Sequence, residues 1–208
     1  MGILKRALFL CIIIPLISYQ CYGQNQSDYE GSGSVYTIVE VEDFEVTGDG
    51  SANGWSDAEW LYITQRRPAE IKDSITTKVK SVYSRTGIYF LFYCQDREIT
   101  STMDSDFSDL WKEDVVEVFL WTDEDFPFYF EYEISPRNFE LPILISNIDG
   151  DLVRWQPFHY DEDSQTRHAV TIQKAGEKDN QAIESWTAEF FIPYKLLRPL
   201  NNINPQIG

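Results

Sequence analysis

Between Asp104 and Asp125 the chain gathers its densest set of side chains able to do chemistry. A polar loop, Asp104-Ser105-Asp106-Phe107-Ser108-Asp109, leads into Leu110-Trp111-Lys112-Glu113-Asp114-Val115-Val116-Glu117-Val118-Phe119-Leu120 and on to Trp121-Thr122-Asp123-Glu124-Asp125. Trp111 stands where a loop meets a strand, so its ring can turn a flat apolar face to solvent. Glu117 lies inside an apolar strand, where an unpaired charge is costly, so it needs a partner or a ligand. A tryptophan platform beside a carboxylate suits a sugar: the ring covers the CH face of a pyranose, and the carboxylate accepts hydrogen bonds from its hydroxyls. The same residues also fit a plainer arrangement, with Trp111 in the core and Glu117 paired to an arginine.

Other residues offer weaker chemistry. Arg154-Trp155-Gln156-Pro157-Phe158-His159-Tyr160 is a proline-interrupted aromatic loop. Trp155, His159 and Tyr160 there form either part of a binding face or a packed cover over an open end. His159 and His168 match no short metal-ligand spacing. Hard oxygen ligands close together in a loop suit Ca²⁺. Asp49, with Ser51 and Asn53 alternating after it, makes one such loop, and Asp123, Glu124 and Asp125 make another. A structural calcium held by Asp49, Asp123 or Asp125 is therefore an expectation, with solvated acidic turns as the alternative. A glycosidase would need two carboxylates across the scissile bond. Glu117, Glu131 and Glu133 could supply a pair, but no catalytic motif singles them out, and the sequence favours binding over catalysis.

The elements that must position these groups are short strands. β-Branched and aromatic runs bounded by turn residues fall at Val35–Val41, Trp60–Thr64, Thr76–Ser84, Ile88–Gln95, Val115–Trp121, Phe128–Ile134, Glu140–Ser146, Leu152–Trp155, His168–Lys174 and Ser185–Ile192. Phe128 to Ile134 alternates so that Glu131 and Glu133 share a face. Helical periodicity is confined to a turn at Tyr194–Arg198, entered by Pro193 and stopped by Pro199. This pattern predicts an all-β domain over residues 35–208, an antiparallel β-sandwich of the immunoglobulin-like or jelly-roll kind, with a closed barrel as the alternative. The stop at Gly208 reads as a sandwich lacking its C-terminal strands.

The N-terminus addresses the compartment. Lys5 and Arg6 precede an apolar run, Ala7 to Ser18, that is shorter than the ~20 residues of a spanning helix. Cys21-Tyr22-Gly23 then supplies a small-x-small cleavage pattern. The expectation is an exported protein, periplasmic or secreted, with a signal peptide over 1–23, a linker over 24–34 and no transmembrane segment in the mature chain. Lipid attachment at Cys21 is the lesser alternative. Cys94 is the sole cysteine beyond that region and sits in a strand-like apolar run, as a buried structural thiol does. A net charge of −17 argues against nucleic acid, which selects clustered lysine and arginine. Aromatic content is high, with six Trp, twelve Tyr and thirteen Phe; some form core, and such a composition also suits sugar binding, where flat rings stack on pyranose faces.

The run from Leu110 to Leu120 resembles the hallmark of family 9 carbohydrate-binding modules, an aromatic followed by acid-Asp-x-Val-Glu-apolar-Phe. Gly48-Asp49-Gly50 with Trp55 to Trp60, Gly87 to Phe92 with Gln95-Asp96, Tyr129 to Pro136, Trp155 to Tyr160, and Trp186 to Pro193 are similar to further segments of that superfamily, in the same order. The resemblance covers about residues 38–208. It implies a β-sandwich related to DOMON domains, structural calcium, and an oligo- or polysaccharide held between two tryptophans, in proteins associated with polysaccharide breakdown. Trp111 matches one stacking tryptophan and Glu117 the hydrogen-bonding glutamate. The family's binding arginine falls at Glu133, which reverses the charge, and its second tryptophan lies past Gly208. Two other implications follow: an interaction module that no longer binds sugar, and haem ligation through Met103, as in some DOMON relatives.

Overall fold

A computed structural model describes residues 36–63, 75–123, 125–160, 164–176 and 182–200. The predicted signal peptide and linker lie outside the described residues. Ten strands form two sheets: β1 (Val39–Glu40), β2 (Leu61–Tyr62), β3 (Thr77–Tyr83), β4 (Gly87–Gln95), β5 (Val116–Leu120), β6 (Phe128–Ile134), β7 (Glu140–Ile148), β8 (Asp151–Pro157), β9 (Arg167–Lys174) and β10 (Ile183–Pro193). The six-stranded sheet runs β1-β3-β4-β10-β9, with β2 also on β3, and the four-stranded sheet runs β5-β6-β7-β8. The chain is a two-sheet sandwich and not a barrel. Each predicted strand has a counterpart among the described residues, the first two shortened to two residues each, with Val35 and Thr64 of their predicted spans lying outside the described residues. All pairings are antiparallel except β1 with β3, where the long stretch between them gives the crossover a parallel pair requires. Among the described residues there is one α-helix, α1 (Tyr194–Leu197), with Pro193 at its N-cap, and Cys94 is buried. Among the described residues no helix is long and apolar enough to cross a membrane.

The continuous apolar runs of β4 and β10 have a physical reason: both faces of these central strands are covered. Phe90, Phe92 and Cys94 point between the sheets to meet Phe190, Ile192, Val118, Phe130, Tyr132 and Ile134. Tyr89, Leu91 and Phe191 point the other way, under a cover formed by Phe44, Trp55 and neighbours. The four-stranded sheet is covered on its outer face too. Leu141, Ile143 and Ile145 of β7 lie beneath Met103, Phe107, Leu110, Trp111 and Val115. The β4–β5 connection thus becomes a lid on the outer face of the smaller sheet, and it delivers Trp111 there.

One buried anchor fixes the loop that carries Asp49. Glu189 of β10 has no solvent exposure. Its Oε2 accepts from the amides of Thr47, Gly48 and Gly50 and from Thr47 Oγ1, while Oε1 accepts from Trp55 Nε1 at 2.9 Å. Gly48 takes φ +85°, and a Cβ there would lie 2.9 Å from the Ala169 backbone, so no other residue fits without strain.

Candidate functional site

The register of β5, β6, β7 and β8 lays the outer face of the smaller sheet out in rows. Glu117 pairs with Glu133, which pairs with Leu141. The next row on that face runs Phe119, Glu131, Ile143, Pro157, and the next Tyr129, Ile145, Trp155. Alternation puts Val116, Val118, Leu120, Phe130, Tyr132 and Ile134 in the core, so these outward residues share one surface. Trp111 sits in a 3-10 turn, Leu110–Lys112, at the glutamate end of the rows. Leu110 pins the turn by full burial, which leaves the Trp111 ring half-buried with Lys112 Nζ 5.0 Å from its centroid. At the other end Tyr129 neighbours the Phe119 ring at 6.1 Å and the exposed Trp121 ring at 6.2 Å. Aromatic rings therefore flank three carboxylates at both ends.

Those carboxylates are the site's dominant electrostatic feature. Glu117, Glu131 and Glu133 are 5%, 8% and 1% exposed, so only a sliver of the first two reaches the surface. One oxygen from each lies within 4.8 Å of the others. No ion pair among the described residues reaches any of them, so Glu117 meets acids where an arginine was one expectation. Burial pushes the Glu117 carboxyl up to about 8, with the Glu131 charge adding to it. Burial carries Glu133 to about 9, reinforced by Glu117 and then Glu131. Glu131 rises to about 7, again through burial; contact with Glu133 works the other way, and it is a hydrogen bond only while one partner holds a proton. The group is thus a proton-sharing cluster at neutral pH. Tyr129, beside it, is lifted to about 12 by burial and by Glu131.

The expected site residues separate on this map. Trp111, Glu117 and Trp155 share the outer face, Trp155 being 44% exposed on the edge strand β8. Tyr160 lies elsewhere: it packs against the inter-sheet core, and its hydroxyl is 3.1 Å from Thr166 Oγ1. Thr166 and Tyr132 both donate to the buried Glu140. The His159 ring lies tilted against Phe107 of the lid, centroids 4.4 Å apart, and Phe107 itself is held at φ 62°. Met103 is packed into the lid's apolar underside.

Glu124 lies outside the described residues, and among those described Asp49, Asp123 and Asp125 do not form one group of three converging ligands. Asp49 Oδ1 accepts from Thr47 Oγ1 and the Ser51 amide, which holds its carboxyl down at about 2. Asp123 Oδ1 accepts from the Asp125 amide in the β5–β6 turn. Among the described residues, the acids that do converge are Glu117, Glu131 and Glu133. The two-residue spacing of Glu131 and Glu133 was the available signal for their shared face; their convergence on Glu117 depends on the β5–β6 register.

Two packed sheets with a loop laid over one outer face define a two-layer β-sandwich. Residues 46–196 match the family described as "Carbohydrate family 9 binding domain-like", more than half of the chain, and the protein belongs to that family. Among solved structures, a candidate carbohydrate-binding protein from Bacteroides uniformis is similar at 12% identity and TM-score 0.61, over 78% of this chain and 73% of that one. A family 9 carbohydrate-binding module from Caldicellulosiruptor kristjanssonii, in complex with cellotriose, matches at 15% identity and TM-score 0.47, over 75% and 66% of the two chains. The module from that organism in complex with glucose gives 15% identity and TM-score 0.42, over 76% and 69%. No curated protein matches the chain in sequence.

Proposed function

We propose that the protein is an exported, non-catalytic carbohydrate-binding module whose ligand lies on the outer face of the four-stranded sheet. Trp111 stacks on a sugar ring, Glu117 bonds hydroxyls through its exposed edge, and Trp155 with Tyr129 extends the platform across the rows. The observation that carries this reading is the position of Trp111, half-buried on a pinned turn against the face onto which Glu117 opens. A rigid ring loses little entropy when it binds, and it contributes apolar area that a flexible side chain would not. Where sugar acts on this protein, the setting we propose is polysaccharide breakdown outside the cytoplasm.

A glycan panel that includes glucose and cello-oligosaccharides, followed by calorimetry on the purified chain, tests the reading. Trp111→Ala should weaken the bound sugar at least about tenfold, a loss of ~1.4 kcal/mol. Equal binding by wild type and variant would remove Trp111 from the site. No binding across the panel would favour a second reading, an interaction module without sugar affinity. The observation behind that reading is Glu133, a carboxylate where the resemblance places an arginine.

A further inference from the structure

We propose that the outer face of the smaller sheet holds a divalent cation of the hard, oxygen-preferring class, Ca²⁺, Mn²⁺ or Mg²⁺, liganded by Glu117, Glu131 and Glu133. This goes beyond the carbohydrate reading and does not depend on it. The three ligand oxygens lie within 4.8 Å of one another. Two oxygens on opposite sides of a calcium ion, each at about 2.4 Å, are themselves ~4.8 Å apart. The cluster therefore spans the width of one ion.

The second observation is Glu133 itself. It is 1% exposed, and neither of its carboxylate oxygens makes a hydrogen bond of normal geometry to the described residues, although the Trp111 backbone lies near enough to favour its charge. Buried polar atoms are nearly always paired, and a carboxylate turned toward two others lacks a positive partner. Its neighbours supply none. The facing groups are Glu117 on β5, Glu131 and Tyr129 on β6, and Asp109 at the start of the Trp111 turn, whose charge is taken by Lys112 at 2.5 Å.

Position and chemistry both suit a cation. Glu117 and Glu133 sit directly opposite across the β5–β6 ladder, and Glu131 is the next outward residue on the same strand. β6 is held by ladders on both sides, so the ligands are set by sheet geometry and not by loop closure. With no histidine or thiolate in the set, the donors select hard ions over zinc or copper. A dication would offset most of the charge of three buried carboxylates. It must displace the protons the cluster otherwise holds, so affinity rises with pH.

Calorimetric titration of the purified, EDTA-stripped chain with CaCl₂ and separately with MnCl₂, without sugar, tests this. At about pH 8 one ion should bind per chain, with affinity at least about tenfold weaker near pH 6. Glu133→Gln and Glu131→Gln should each lower the affinity at least about tenfold, because ligand charge sets Kd. Asp49→Asn should leave it unchanged. Urea unfolding in EDTA checks folding: Glu133→Gln, which removes a buried charge while keeping its shape, should unfold no more readily than wild type near pH 8. The proposal is overturned if neither ion binds saturably by ~10 mM near pH 8. It is equally overturned if an ion binds and Glu133→Gln leaves that binding intact. Loss of sugar binding on the glycan panel would not alter either outcome.

Discussion

Replacing Glu133 by glutamine in metal-free buffer should make the protein more stable, and more so as the pH rises. The Glu133 carboxyl is moved from 4.5 to about 9, so the folded chain keeps a proton there that the unfolded chain has lost. A group whose folded pKa is raised stabilises fully below its unfolded value, and that contribution is lost as pH climbs toward the folded value. Each pH unit in that interval removes ~1.4 kcal/mol per retained proton. Between about pH 6.5 and pH 8.5 Glu133, coupled to Glu117 and Glu131, therefore accounts for about 2.5 kcal/mol, and at 1% exposure solvent does little to screen it. Glu131 and Glu117, at about 7 and about 8, add slope of the same sign. Asp114, raised to about 6 mainly by burial, has largely finished titrating below this window, and Asp49, held at about 2, is ionised throughout. Urea unfolding with EDTA at both ends of the window measures the effect. The wild type should lose several kcal/mol, with a smaller loss for Glu133→Gln by about 2.5 kcal/mol. A wild type that is as stable near pH 8.5 as near pH 6.5, or a variant with the same slope, would refute the reasoning.

Two further outcomes concern the scaffold. Glu189→Ala should cost about 3 kcal/mol or more in urea unfolding, because it strips the acceptor from the Thr47, Gly48 and Gly50 amides and from Trp55 Nε1. Gly48→Ala should cost ~2 kcal/mol and lower Tm, since φ +85° and the Ala169 backbone at 2.9 Å leave the new methyl no low-strain position. Wild-type stability in either variant would show that the Glu189 loop is not the anchor described.

The elements of this fold were legible because strands write themselves locally. β-Branched and aromatic runs broken by turn residues located all ten, and alternation in Phe128 to Ile134 placed Glu131 and Glu133 on one side of β6. Register is not local. That Glu117 faces Glu133 follows from how β5 and β6 align, and nothing within either strand states it. Glu189 was silent for a related reason, since its partners lie more than a hundred residues away. The aromatic loop at Trp155 to Tyr160 fits both a binding face and a packed cover in sequence, and Tyr160 takes the second part, its hydroxyl joining the Thr166 and Glu140 network below. Trp111 is the best-marked residue of the proposed site, as the loop-to-strand junction alone limits where its ring can point.

The most direct test of the central claim is NMR chemical-shift mapping on the isotope-labelled chain, titrated with the sugar that the glycan panel selects. The account predicts perturbations concentrated on the indole of Trp111 and on Glu117, Tyr129 and Trp155, with sheet β1-β3-β4-β10-β9 unmoved. Perturbations centred on that larger sheet, with Trp111 and Glu117 unchanged, would contradict it.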